Sequence, residues 1–221
     1  MPSSPGLYAA TANTIAVGVL LVEFLMLRAS MFRAQVRLYA VQSLIVCVLA
    51  AVVAATHDLP ELYVLAALSL LLKVIVVPIV VLRLLRDADV EIAGSGVIGV
   101  ASEVLLAIVV AGFGFFAIGH LHLSSSVLPT AALSVSVAVV LVSFVLMIAR
   151  SDVVSQAIGF FSLENGVSLA SLVVASGLPL ILEVAFLFDL LVAVVVFGVL
   201  MRVHHGRTDT LSTAGLTKLK G

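Results

Sequence analysis

The sequence predicts an all-α, polytopic integral membrane protein of about seven transmembrane helices. Three observations carry this reading. Of 221 residues, 63% are hydrophobic and only 10% are charged, whereas a soluble domain is about half apolar and about a quarter charged. Mean hydropathy is +1.34. Apolar runs of about 20 residues, long enough to cross a bilayer as helices, recur along almost the whole chain.

The spans are expected over 7–27, 38–56, 61–82, 97–119, 127–149, 153–176 and 179–201. In lipid a backbone must satisfy its own polar groups, so helices are the expected form. Turn chemistry separates them: "THDLPE" after the second, "HLHLSSS" between the fourth and fifth, "SGLP" before the last. Pro60, Pro129 and Pro179 fall at first turns, where a missing N–H costs little.

The basic residues orient these spans. Arg28, Arg33 and Arg37 follow the first, Arg83 and Arg86 the third, Arg150 the fifth, and Arg202, Arg207, Lys218 and Lys220 the seventh. The alternate loops hold no Lys or Arg. By the positive-inside rule the N-terminus lies outside and the C-terminus in the cytoplasm. Ten of the eleven basic residues obey; the exception is Lys73, inside the third span.

Other classes find little support. A net charge of −1 offers no electrostatic case for nucleic acid. Cys47 is single and sits in an apolar run, so it reads as a small buried hydrophobe. No Cys/His cluster suggests a metal, and the five histidines fall at span ends. The "MPSSPG" start has no basic segment, so no cleavable signal is expected.

Function is sought in the ionisable residues placed within spans: Glu23, Lys73, Glu103, Glu164, Glu183 and Asp189. Each costs about 2.5–3.5 kcal/mol at a helix centre on insertion scales, and such residues mark ion or proton handling by default. Depth sorts them at about 1.5 Å per residue. Lys73, Glu164 and Asp189 fall within about one turn of the midplane. Glu103 lies about 10 Å in from the cytoplasmic end, and Glu183 lies near the outer end. Glu23 is about one turn from Arg28 and is expected to snorkel or pair with it. A low dielectric disfavours the charged form of acid and amine alike, so groups at one depth can form a lateral proton relay.

Two local features sharpen the midplane. Pro78 has no N–H for the Val74 carbonyl, which favours a kink beside Lys73. Asn165 and Gly166 follow Glu164 in "LENG"; the amide can hydrogen-bond a shifting carboxylate, and the glycine admits a neighbouring backbone. Small residues in "AGFGFF" and "SGVIGVAS" likewise permit close packing.

The last two spans, "IGFFSLENGVSLASL" and "LPLILEVAFLFDLLVAVVVFGVLMRVHH", resemble hydrogenase-4 component E. The likeness covers most of the chain, including the Lys-then-Pro pattern of span three. Over about the last 75 residues it extends to the K subunit of respiratory complex I, and that family is similar to the C subunit of multisubunit cation/proton antiporters. The resemblance divides the chain into a five-helix region, 1–150, and a K-subunit-like pair of helices with a cytoplasmic tail, 151–221. It implies that Glu164 and Asp189 match two coupling glutamates of the complex I subunit, with Glu183 a competitor for the second. The match is imperfect in spacing, and the second acid here is an aspartate.

What the resemblance implies is a non-catalytic membrane subunit of a complex-I-like, nickel–iron hydrogenase, with no cofactor of its own. It would sit in the cell inner membrane within a hetero-oligomer, beside the core membrane subunit and the antiporter-like subunits, reaching the hydrogenase arm indirectly. Proton transfer would involve Glu164, Asp189, Lys73, Glu103 and Glu183. Alternatives are a cation/proton antiporter subunit, a purely structural spacer, or an independent transporter, which would be expected to show the internal repeats that seven spans here lack. A quinone-binding enzyme has no Trp or in-span histidine to support it.

Overall fold

The computed structural model describes residues 5–57, 59–87, 98–119, 130–174 and 191–199. Its elements are all helices: α1 (Pro5–Arg28), α2 (Phe32–His57), α3 (Pro60–Ser69), a π-helical segment (Leu70–Val76), α4 (Val77–Asp87), α5 (Val100–Ile118), α6 (Thr130–Ala149) and α7 (Val153–Val174). Among the described residues, six helical rods are long and apolar enough to cross a membrane. They match the first six expected spans, but α2 begins at Phe32 rather than at 38, so Arg33 and Arg37 lie on it and not between spans; α3, the π segment and α4 together make the third. Of the seventh span, 191–199 is described and helical. Glu183, Asp189, residues 88–97 and the chain beyond 199 lie outside the described residues.

The third span departs from a plain helix where proline chemistry said it would. Pro60 starts α3 at its first turn, and the backbone N–H of Val77 reaches back five residues to Leu72. Pro78 offers no N–H to the carbonyls of Lys73 or Val74, and the ladder beside them widens to a π turn. Lys73 sits in that widened segment and is buried.

Short turns tie the bundle at its basic end. Carbonyls at the end of α1 and in the turn after it lack helical partners, and side chains from elsewhere satisfy two of them. Arg150 donates to Leu27 O, and Gln35 donates to Ala29 O at 3.0 Å. Asp152 caps α7, its Oδ1 accepting from the Ser155 N–H at 2.6 Å. Arg150, which follows the fifth expected span, is buried here.

The core falls into two apolar tiers. The tier nearer the basic end holds Met26, Leu27, Phe32, Tyr39, Val81, Leu146, Ile158 and Phe161. The other holds Ala16, Val19, Leu49, Leu65, Val139, Leu169 and Leu172. On α1, α2, the third span and α7 the change of tier occurs at Glu23, at Gln42 and Ser43, at Lys73, and at Ser162 to Asn165. A polar layer therefore separates the tiers.

Helix α7 lies inside the bundle, packed most closely on α6 and also on α2. Phe197, in the described part of the seventh span, meets Phe161 edge-on at 6.1 Å and Phe160 at 6.2 Å. Helix α5 is peripheral, with Leu105, Ile108, Val109, Phe113 and Phe116 exposed, as lipid-facing positions should be.

Gly166 and Gly159, two turns apart, allow α7 to touch α6. A Cβ on Gly166 would meet Val140 Cγ2 at 2.8 Å, Val140 N at 3.1 Å and Ser136 O at 3.2 Å. Gly112 on α5 would meet nothing. Gly166→Ala is expected to lower stability in detergent by about 1–3 kcal/mol, the usual cost of overpacking. Gly112→Ala should leave it unchanged or raise it slightly; thermal unfolding followed by circular dichroism compares the two.

Candidate functional site

In the described spans, Glu23, Lys73, Glu103 and Glu164 are all buried. Not one of them faces lipid. Their placement follows from α7, whose successive side chains turn by about 100°. Glu164 and Ser168 share one face, Ser162 and Asn165 a second, and Gly159 and Gly166 a third.

The first face meets Lys73. Its Nζ lies 3.7 Å from Glu164 Oε2 and donates to Ser168 Oγ at 3.1 Å. Beside the pair is a cavity of about 10 Å³ walled by Ser43, Cys47, Ser69, Lys73, Asn165 and Ser168. That is about the space one water needs. Asn165 Oδ1, fully buried at this wall, has no hydrogen-bond partner among the described residues.

The second face meets α2 and α1. Asn165 Nδ2 donates to Gln42 Oε1 and to Ser43 Oγ, both at 2.9 Å. The sequence led one to expect this amide on the neighbouring Glu164 carboxyl; it serves α2 instead, because adjacent helical residues diverge. Gln42 Nε2 donates to Glu23 Oε2 at 2.7 Å and Ser143 Oγ to Glu23 Oε1 at 3.0 Å. Ser162 Oγ lies 2.9 Å from Gln42 Oε1 and also hydrogen-bonds Glu23 Oε2.

Glu23 was expected to snorkel towards Arg28. The structure corrects that: Glu23 has 0% exposure and is enclosed by α2, α6 and α7. Position along α1 gave its distance from the helix end but not the face it turns inward. The available signal was the set of polar residues Gln42, Ser143, Ser162 and Asn165, each inside an otherwise apolar span.

Glu103 stands apart from this layer. In the first turn of α5 it pairs with Arg150 at the basic end, Arg150 Nε to Glu103 Oε1 at 3.1 Å. Of the five expected proton-transfer residues, the structure brings Lys73 and Glu164 together and gives Glu103 a separate partner. Asp189 and Glu183 lie outside the described residues. Among the described residues, no three His, Cys, Asp or Glu side chains gather as metal ligands.

Removing one member of a buried ion pair strands the other, at a cost of about 3–5 kcal/mol. Arg150→Met should therefore destabilise the protein by about that amount. Adding Glu103→Met should recover part of the loss, leaving the cost of the unsatisfied Leu27 carbonyl. A double-mutant cycle of unfolding midpoints checks both values.

No protein-family model and no solved structure matches the chain. Hydrogenase-4 component E of Escherichia coli is 24% identical over 209 residues, covering 95% of this chain and 97% of its own. The component E of Shigella flexneri matches with the same identity and coverage. An uncharacterized protein of Mycobacterium tuberculosis is 42% identical over 69 residues, 31% of either chain. The likeness to component E thus runs nearly end to end in both proteins, as the lysine, proline and "LENG" motifs led one to expect. The chain is similar to hydrogenase-4 component E over nearly the whole of both chains, and it is a multi-pass membrane protein.

Proposed function

We propose that this protein is a membrane subunit of a complex-I-like, membrane-bound nickel–iron hydrogenase, and that Lys73 and Glu164 pass protons laterally within it. The observation that carries this reading is the buried Lys73–Glu164 pair, 3.7 Å apart. It lies in a chain that matches hydrogenase-4 component E over 95% of its length. Such a pair has two states, ammonium with carboxylate or amine with acid, which differ by one proton moved between neighbours.

At 3.7 Å the groups are beyond hydrogen-bond length, so transfer requires a small approach or a bridging water. The adjoining cavity is about one water in size. The π turn around Lys73 supplies a backbone that can re-register, a common use of such turns at working sites. Asp189 or Glu183, on the seventh span, would take the proton onward. In this reading the chain lies in the inner cell membrane with its basic end cytoplasmic. It binds the core membrane subunit and the antiporter-like subunits, and the redox cofactors are carried by other chains. The Glu103–Arg150 pair serves assembly of the basic end, since Arg150 also ties down the Leu27 carbonyl.

The test is Glu164→Gln in the complex reconstituted into vesicles. Hydrogenase turnover is expected to continue while proton pumping per turnover falls at least several-fold. Full pumping in an intact Glu164→Gln complex would leave the chain as a structural spacer. Failure to copurify with hydrogenase subunits would overturn the assignment to that complex.

A further inference from the structure

We infer that Glu23 holds a proton as a neutral carboxylic acid, and that this proton sets the direction of the hydrogen-bond row leading to the Lys73 cavity. The case is one of counting hydrogens. Three oxygens meet at this point: Ser162 Oγ, Glu23 Oε2 and Gln42 Oε1. The serine approaches both of the others, yet a hydroxyl carries a single hydrogen. An ionised Glu23 is an acceptor only, and then one of the two serine contacts would set two acceptors against each other. A protonated Glu23 resolves the geometry. Its O–H donates to Ser162 Oγ, and the serine O–H donates to Gln42 Oε1.

The remaining contacts agree with that count. Glu23 Oε1 accepts from Ser143, and Glu23 Oε2 accepts from Gln42 Nε2 through its spare lone pair. Gln42 Oε1 accepts from Asn165 as well. No cation pairs with Glu23 among the described residues. The charged and titratable groups on the helices around it are Arg28 on α1 itself, Arg33, Arg37, Tyr39, Cys47 and His57 on α2, Glu103 on α5, Arg150 beyond α6 and Glu164 on α7, and among the described residues none of them hydrogen-bonds or ion-pairs with Glu23. Arg150 is engaged with Glu103 and with Leu27 O. A bare carboxylate at 0% exposure in a membrane bundle, without a counter-charge, is the costly alternative.

Loss of the proton has a defined consequence. The O–H bond of Glu23 breaks and its electron pair stays on the carboxylate. The Ser162 hydroxyl then turns from Gln42 to Glu23, and Gln42 Oε1 keeps only the Asn165 donor. Asn165 forms part of the wall of the Lys73 cavity. The charge state of Glu23 is thereby felt at the Lys73–Glu164 pair. This takes its purpose, but not its evidence, from the proposed proton handling.

Infrared spectroscopy of the full chain in lipid reads the acid directly. At neutral pH a protonated-carboxyl C=O band is expected in the wild type, lost in Glu23→Gln and kept in Glu164→Gln. Ser162→Ala should shift that band, because it removes the acceptor of the acid proton, and Ser168→Ala should leave it in place. Glu23→Gln should also unfold within a few degrees of the wild type, since an amide N–H can donate to Ser162 where the acid did. A flat difference between wild type and Glu23→Gln, a band unmoved by Ser162→Ala, or a Glu23→Gln chain that fails to fold would each overturn the inference. Full pumping by Glu164→Gln would overturn the proposed function while leaving the Glu23 band where it is.

Discussion

Inside a bilayer there is no solvent to complete a hydrogen bond, and the bundle is organised around that lack. Each polar group in a span must find its partner on another helix or carry the desolvation cost. The partners here lie in one layer. Glu23 on α1, Gln42 and Ser43 on α2, Lys73 in the third span, Ser143 on α6, and Ser162, Glu164, Asn165 and Ser168 on α7 meet between two apolar tiers. Moving any helix by a turn along its axis would strand several of these groups together. The layer therefore fixes axial register, which apolar side chains packed against lipid-like neighbours define only weakly.

Close approach makes the layer possible. Gly159 and Gly166 let the α7 backbone lie against α6, and the resulting proximity brings Ser143 and Ser162 to one carboxyl. The small residues and the polar residues are thus parts of one arrangement. The glycines set the distance between axes, and hydrogen bonds set the rotation. The π turn adds a third adjustment, presenting Lys73 to α7 from a rod whose regular ladder Pro78 interrupts.

The two ion pairs illustrate different uses of buried charge. Arg150 with Glu103 sits at the end of the bundle and also binds the buried helix-end carbonyl of Leu27. Its geometry is that of a clasp. Lys73 with Glu164 sits between the tiers at a looser 3.7 Å, next to a cavity and an unpartnered amide oxygen. A looser pair with room beside it suits the coupling role proposed for it.

Composition and period alone determined the membrane class, the existence and approximate extent of the first six helical spans, the irregularity near Pro78 and the candidacy of Lys73 and Glu164. These features are local: run length, a missing N–H, the cost of a charge in hydrocarbon. Tertiary structure decided the rest, because it concerns which face of one helix meets which face of another. Sequence order put Glu23 beside Arg28 and Arg150 in a loop. Packing instead buried Glu23 among Gln42, Ser143 and Ser162, and gave Arg150 to Glu103. A position along a helix gives depth, but a hydrogen bond also needs azimuth, and azimuth is set only when all the helices pack at once.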